Sequence, residues 1–374
     1  MLLTRAIGLG LGVVLDRLVG DPQRLHPVAG FGRVASATEN LLLAPERSAD
    51  SQRVAGLAFT GLLVGGTAAA TLAAGRLLSR GGGEPVGAGR VAVACGSAGA
   101  GRVSVACGSA GPGRAADPWR SAGSWRAAGS CRTVGAIVWN AAVVWSCLGG
   151  ATLLSVARSQ DALLRSGDHT ASRELLPWLC GRDPDALDPD DLARAVVESI
   201  AENTSDAAVA TLFWAALAGP TGAAVHRAAN TLDAMVGHRS PRYRHFGSAS
   251  ARLDDVLGFL PARLAGLIAV AAAGTVGGSP SDAVRAWRRD ARAHPSPNAG
   301  VVEAVCAGAL GVRLGGPTPY PYGVQDRAGL GDGRPVRADD IGRAVFLHDR
   351  VQLATAGLMI TGLLVAHRVA RRHG

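Results

Sequence analysis

Three carboxylates stand four residues apart in VESIAENTSDAAVATLFWAAL (197–217): Glu198, Glu202 and Asp206. At about 100° per residue, a step of four drifts only ~40° around a helix, so all three share one stripe. Like charges at that spacing repel by about 0.2–0.5 kcal/mol per pair. A chain tolerates this on a solvated face, or uses it to hold Mg²⁺ or to supply a base. Asn203 adds an amide beside them. A second group lies in NTLDAMVGHRSPRYRHFGSASARLDDVLGFLPARL (230–264). Asn230 and Asp233 face together on a helix, with His226 one turn earlier. Arg239, Arg242 and Arg244, with Tyr243, make a basic loop suited to phosphate or carboxylate. Arg252 stands three residues before Asp255, and Asp254 adjoins it. LDRLVGDPQRLHPV (15–28) adds Asp16, Asp21 and His26. HPSPNAGVVEAVCAGALGVRLGG (294–316) reads as a helix capped by Asn298 and carrying Glu303. Singly, these residues read as solvated faces and juxtamembrane ion pairs. Paired Asp, Arg and Asn beside lipid read as a functional site.

Apolar helices must position these groups. The chain has 374 residues, 48% hydrophobic and 18% charged. Its apolar residues fall in blocks at 2–19, 54–78, 133–157, 256–276 and 353–367, with a shorter, interrupted block at 207–229. A spanning helix needs about 20 mostly apolar residues. The fold class is therefore all-α, a polytopic integral membrane protein of five or six apolar helices with polar helical loops. The blocks are rich in Ala and Gly, which permits close helix contact in lipid. The first block carries Arg5, Asp16 and Arg17 near its ends, and no small-x-small cleavage site follows it, so a span is expected rather than a signal peptide. All 38 basic residues are Arg. The absence of Lys excludes a P-loop lysine, a Schiff base and a lysine nucleophile. Phosphate must be held by Arg, backbone N–H groups or a metal. The net charge of +9 suits anionic lipid or an anionic substrate. Dispersed Arg and 4% aromatic residues argue against nucleic acid. The six Cys (95, 107, 131, 147, 180 and 306) form no CxxC pair, so neither a zinc site nor a disulfide framework is expected.

Five regions follow: helices in 1–80, a linker over 81–132, a membrane and catalytic core over 133–276, a polar region over 277–352, and a last helix with an Arg-rich tail over 353–374. GAGRVAVACGSA and WRSAGS each recur in near-copy within 81–132, a composition that cannot build a core. Asp188 or Asp190 caps the helix bearing the first acidic group. GGPTPYPYG (315–323) and GLGDGRPV (329–336) are turn signals, and no strand pattern precedes GLGDG to make it a dinucleotide fingerprint. AGPTG (218–222) interrupts the 207–229 block. A full crossing there would separate the two acidic groups. A re-entrant pair of half-helices would return both to one face.

LVGDPQRLHPV, VESIAENTSD, NTLDAMVGHRSPRYRHFGSASARLDDV, PARL and SPNAGVVEAVCAGALGVRLGG occur in this order between about residues 10 and 350. Together they resemble the CobD/CbiB membrane family of adenosylcobinamide-phosphate synthases. The resemblance leaves out the 81–132 repeat. Two details depart from it: Thr211 stands where a helix-kinking Pro is common, and Asp183-Pro184 replaces an Asp-Thr. It implies a multi-pass protein of the cell membrane that joins aminopropanol, or its phosphate, to the propionate of adenosylcobyric acid. It also implies ATP, with the acid activated as an acyl phosphate on the cytoplasmic side. On the matching positions, Glu202, Asp206, Asp254 and Asp255 would hold Mg²⁺-ATP, Arg242 and Arg252 would neutralise the phosphoryl group, and Glu198 would take the proton of the amine. Asn203, Asn230 and Asp233 would orient substrate amides, with His26 and Asn298 as further substrate-binding candidates. The lipid bilayer and other cobalamin-pathway enzymes are the expected partners, and nucleic acid is not. The rival readings are a transporter of an anionic or corrin solute and a structural membrane subunit. Broken helices and intramembrane charge fit the first, but the two halves show no internal symmetry.

Overall fold

The computed structural model describes residues 1–21, 26–80, 118–238, 240–320 and 323–373. Helices α1 (Leu2–Val19), α4 (Pro118–Leu148), α8 (Ala210–Val236) and the second half of α12 (Ala338–Arg372) share one apolar core. Gly8 and Gly12, one turn apart on α1, lie so close to Asn140 and Val144 of α4 that a Cβ at either would collide. That close approach is what small residues contribute in lipid, where no hydrophobic force drives helices together. The charges of α1 all find partners. Arg17 pairs with Asp349 at 2.8 Å, Asp16 accepts from the Ala151 N–H (3.4 Å) and Gln352 (3.3 Å), and Arg5 donates to the Leu217 carbonyl (3.3 Å).

Among the described residues, five helical segments are long and apolar enough to cross a membrane: Ala49–Leu78, Arg132–Ser166, Pro189–Val236, Ser248–Val276 and Ala338–Arg372. They bear out the polytopic all-α reading, although the span expected at 2–19 is not among them, since α1 carries three charges in 18 residues. The expected block 133–157 is broken at Gly149 (φ 64°), where α4 gives way to α5 (Gly150–Ser166). The end of the linker expected over 81–132 overlaps α4. Residues 81–117 lie outside the described residues, but from Pro118 the backbone is helical. The second repeat holds Ala, Arg and Ser with no further Pro, so it extends the helix.

The largest core joins α5, α7 (Pro189–Asn203), the second half of α9 (Ser248–Ala272), α11 (Ala299–Leu310) and the first half of α12. Asp188 is the N-cap of α7, accepting from the Asp191 N–H at 2.8 Å. A third, smaller core packs α2 (Pro27–Leu42) and α3 (Ala49–Arg80) on the end of α8, with Phe59 and Phe246 rings 5.0 Å apart. One small sheet was not expected. Strands β1 (Val312–Tyr320), β2 (Gly323–Leu330) and β3 (Arg334–Pro335) are ordered β2-β1-β3, with β1 antiparallel to β2 and parallel to β3. The Gly- and Pro-rich segment read only as turns therefore closes a short hairpin, its register broken by a bulge between Leu314 and Gly316.

The 207–229 block resolves as follows. A π-helical turn (Thr204–Val209) joins α7 to α8, and α8 breaks at Gly219 (φ 71°, ψ −161°). An unbroken helix would place residues 206 and 230 about 36 Å apart. Instead, the Asn230 Nδ2 lies 3.4 Å from the Asp206 Oδ2. The chain turns at Gly219-Pro220 and doubles back as two half-helices, the geometry a re-entrant pair requires.

Candidate active site

The return of α8 builds an anionic cluster. Asp206, on the π-helical turn, accepts from Asn230 and lies within electrostatic reach of Asp254, Glu202 and Asp233. Asp254 lies beside Asn230, and Asp255 lies near both Asp233 and Asp254. Among the described residues, Glu202, Asp206, Asp233 and Asp254 make no ion pair. The Asp254 Oδ1 is buried without a hydrogen-bond partner among the described residues. π-helical turns often mark functional sites, where they aim a side chain the regular helix would not.

A mixed-charge network adjoins it. Glu198, 2% exposed, accepts from the Arg182 guanidinium, from the Gly315 N–H at 2.8 Å and from the Arg327 Nη1 at 3.3 Å. The Gly315 N–H is available because the β1 bulge takes it out of the strand ladder. Arg327, on β2, also donates to Glu303 (3.1 Å) and to the His294 Nε2. The His294 Nδ1 lies against the Ser296 backbone, 3.0 Å from its N–H nitrogen and 3.1 Å from its carbonyl oxygen. Arg182, Glu198, Ser199, Glu202, Tyr320 and Arg327 line a cavity of about 180 Å³. Glu202, its side chain open to solvent, is within electrostatic reach of both groups. It joins the anionic cluster to the network.

Burial pushes the Glu303 carboxyl up to about 8, partly opposed by Arg327. Burial, reinforced by Arg327, pulls the His294 imidazole down to about 4. Both are therefore largely neutral near pH 7. A carboxyl raised on folding stabilises the fold below its unfolded value of ~4.3 and loses that contribution as pH rises through about 8. Glu303→Gln, which keeps an acceptor for Arg327, removes that loss. Its melting temperature is expected to match wild type at pH 5 and to exceed it by at least ~2 °C at pH 9. A constant difference across that range would contradict the buried, neutral carboxyl.

The structure places the remaining expected residues as follows. Glu198, expected as a base, is buried and takes three donors of this chain across its two oxygens, two of them guanidinium groups, so it is engaged within the network. Arg242 and Tyr243 both donate to the Glu39 Oε1 of α2 (2.9 and 2.8 Å), which engages Arg242 away from the anionic cluster. Arg252 is exposed and makes no ion pair with a described residue, and Arg239 lies outside the described residues. Asn203 donates to the Ser199 carbonyl within its own helix (2.9 Å). His26 caps α2 through its Nδ1 (3.1 Å from the Val28 N–H), with its Nε2 3.7 Å from Asp21. His226 is buried, and neither ring nitrogen has a partner among the described residues. Asn298 starts α11, but its side chain is not the cap. The Ser296 Oγ accepts from the Ala299 N–H, while Asn298 bridges Arg263 to the Asp255 carbonyl (2.7 and 2.9 Å). Arg182, Arg327, Gly315 and His294 were not singled out in the sequence.

A family model described as CobD/Cbib protein matches residues 9–108 and 116–348. The chain belongs to the CobD/CbiB family. Two of its relatives span it almost completely. The cobalamin biosynthesis protein CobD of Mycobacterium tuberculosis (strain H37Rv) is 43% identical over 98% of this chain and 97% of its own length. That of Chromobacterium violaceum is 34% identical over 96% and 97%. The CobD of Rhodobacter capsulatus is 46% identical over 54% of this chain and 63% of its own. No solved structure matches. In this CobD/CbiB protein, both charged groups fall inside the matched residues, and so does the 81–132 segment except for 109–115, although the motifs alone had left that segment out. Family membership makes the chain a multi-pass membrane protein of cobalamin biosynthesis.

Proposed function

We propose that the protein is an ATP-driven amide ligase that joins aminopropanol, or its phosphate, to the propionate of adenosylcobyric acid, at the cytoplasmic face of the cell membrane. The return of α8, which brings Asp206 to Asn230 beside Asp254, supports this reading most. Joining a carboxylate to an amine is uphill in water near neutral pH, so the acid must be made electrophilic. Mg²⁺-ATP supplies the phosphoryl group that does so. The residues fit the ion: four carboxylates with no cation partner among the described residues, one of them with a buried, unpaired oxygen. Among the described residues no three His, Cys, Asp or Glu side chains form a complete metal cage. Mg²⁺ needs none, because it keeps several waters and takes one or two carboxylates plus phosphate oxygens. Asp206 and Asp254 would hold it, with Asp255 beside them.

The chain's own groups carry the rest. Arg182 and Arg327 present guanidinium groups at the wall of the Glu202 cavity, and they are better placed than Arg242 to neutralise a transferring phosphoryl group. Glu198 fixes both guanidinium groups, so it acts as their positioning residue. Glu202, open to the cavity, is the carboxylate free to accept the ammonium proton. Asn230 and Asp233 stand where an amide or hydroxyl of either substrate would be oriented. The test is mass spectrometry of adenosylcobyric acid incubated with purified protein, Mg²⁺-ATP and either amine. The expected result is a product heavier by the amine minus water, formed only with ATP. Solute movement into vesicles without that product would mark a carrier instead.

A further inference from the structure

A cleft of about 690 Å³ opens between α9, α10 (Pro280–Asp290) and the turn that leads into α11. That volume lies within the range of ligand sites. Its lining includes Arg263, Trp287, Arg288 and Arg292, and no Asp or Glu. Arg288 and Arg292 are exposed, four residues apart, and neither makes a hydrogen bond or ion pair with a described residue. Arg263 is fixed, but only by neutral groups. It lies over the Phe259 ring (3.6 Å) and donates to the Asn298 Oδ1 and to the Phe259 and Pro297 carbonyls. Three guanidinium groups thus converge without a carboxylate.

The apolar surroundings identify the class of anion. α9 turns Val256, Phe259, Leu260 and Leu267 outward, between 48% and 70% exposed, at the spacing of one helical face. Arg263 sits in the middle of that face, and Arg263 and Leu267 both line the cleft. α9 lies in a segment apolar enough to span the membrane, so this row faces acyl chains, and a soluble anion would use the arginines alone. An amphiphile uses both, with phosphate against Arg288 and Arg292 and acyl chains along Phe259, Leu260 and Leu267. Trp287 stands at the boundary, where indole rings concentrate in membrane proteins. Basic pockets beside membrane helices bind anionic headgroups in this way. We propose that this cleft is a binding site for the headgroup of an anionic phospholipid of the phosphatidylglycerol type.

Occupancy reaches the active site from two sides. Asn298, which holds Arg263, also donates to the Asp255 carbonyl, and His294 at the cleft's edge accepts from Arg327.

Native mass spectrometry of the full-length protein in neutral detergent tests the proposal, with short-chain phosphatidylglycerol, phosphatidylcholine, glycerol 3-phosphate and ATP as separate probes. Phosphatidylglycerol is expected to bind and phosphatidylcholine is not. Losing one guanidinium near anionic lipid weakens binding about fivefold, so Arg288→Gln/Arg292→Gln should bind about 30-fold more weakly. Arg288→Lys/Arg292→Lys should retain most of the affinity. Both side chains are exposed and unpaired, so the Gln variant should melt at the wild-type temperature without lipid. No phosphatidylglycerol binding, or equal binding by the Gln variant, overturns the proposal. So does tighter binding of glycerol 3-phosphate or ATP at these arginines, which would make the cleft a site for soluble phosphate.

Discussion

Asp206→Asn and Asp254→Asn are each expected to lower amide formation about 100-fold or more, the scale on which a preorganised charged contact or metal ligand acts. The change is nearly isosteric, and Asn at 206 still offers Asn230 an oxygen. The sign of the stability change separates catalytic from structural roles. Asp206, Asp233, Asp254 and Glu202 crowd negative charge without a cation partner among the described residues. Neutralising one member relieves repulsion, so both variants should melt at or above the wild-type temperature while losing activity. A site that stores unfavourable charge for function shows this trade-off. A merely structural carboxylate would give the opposite, lower stability with turnover kept. The double variant should be little worse than either single one, because residues acting as a unit are not additive. The measurement is product mass against time across a Mg²⁺ titration, paired with thermal melts. Wild-type turnover in Asp254→Asn would remove that residue from the site.

The membrane elements were legible because they depend on local pattern. The blocks at 54–78 and 353–367 lie within α3 and α12, and Asp188 caps α7 as its position before the apolar periodicity indicates. AGPTG announced the break in α8, since Gly followed by Pro cannot continue a helix in register. The charged network was not legible, because its members meet across the chain. Glu198 and Arg327 are 129 residues apart, and only the β1–β2 hairpin carries the arginine back. Nothing in QDRAG distinguishes Arg327 from a solvated arginine. The hairpin itself read as turns because its prolines and glycines mask the strand alternation. The basic loop misled for a related reason. Glu39, a single buried carboxylate on α2, claims both Arg242 and Tyr243. Composition showed their suitability for an anion, and only packing shows which anion they meet.

Gly219→Leu is expected to cost activity as completely as either Asp substitution, although Gly219 touches no reacting group. Its backbone (φ 71°, ψ −161°) lies in a region held almost exclusively by glycine, where another residue pays about 1–3 kcal/mol. A Cβ there would also come within 3.1–3.3 Å of the Arg5 guanidinium, which donates to the Leu217 carbonyl. Strain at this point opposes the turn that returns α8. If the half-helices splay, Asn230 leaves Asp206 and the anionic cluster opens. The variant should therefore lose turnover at least ~100-fold. The turn can be checked independently of chemistry. In a protein with its native cysteines replaced by Ser, Asp190→Cys and Arg244→Cys, both at exposed positions, should react with an impermeant maleimide from the same side of the membrane. Reaction from opposite sides would mean that α8 crosses the bilayer completely, and the two halves of the site could not then work on one substrate.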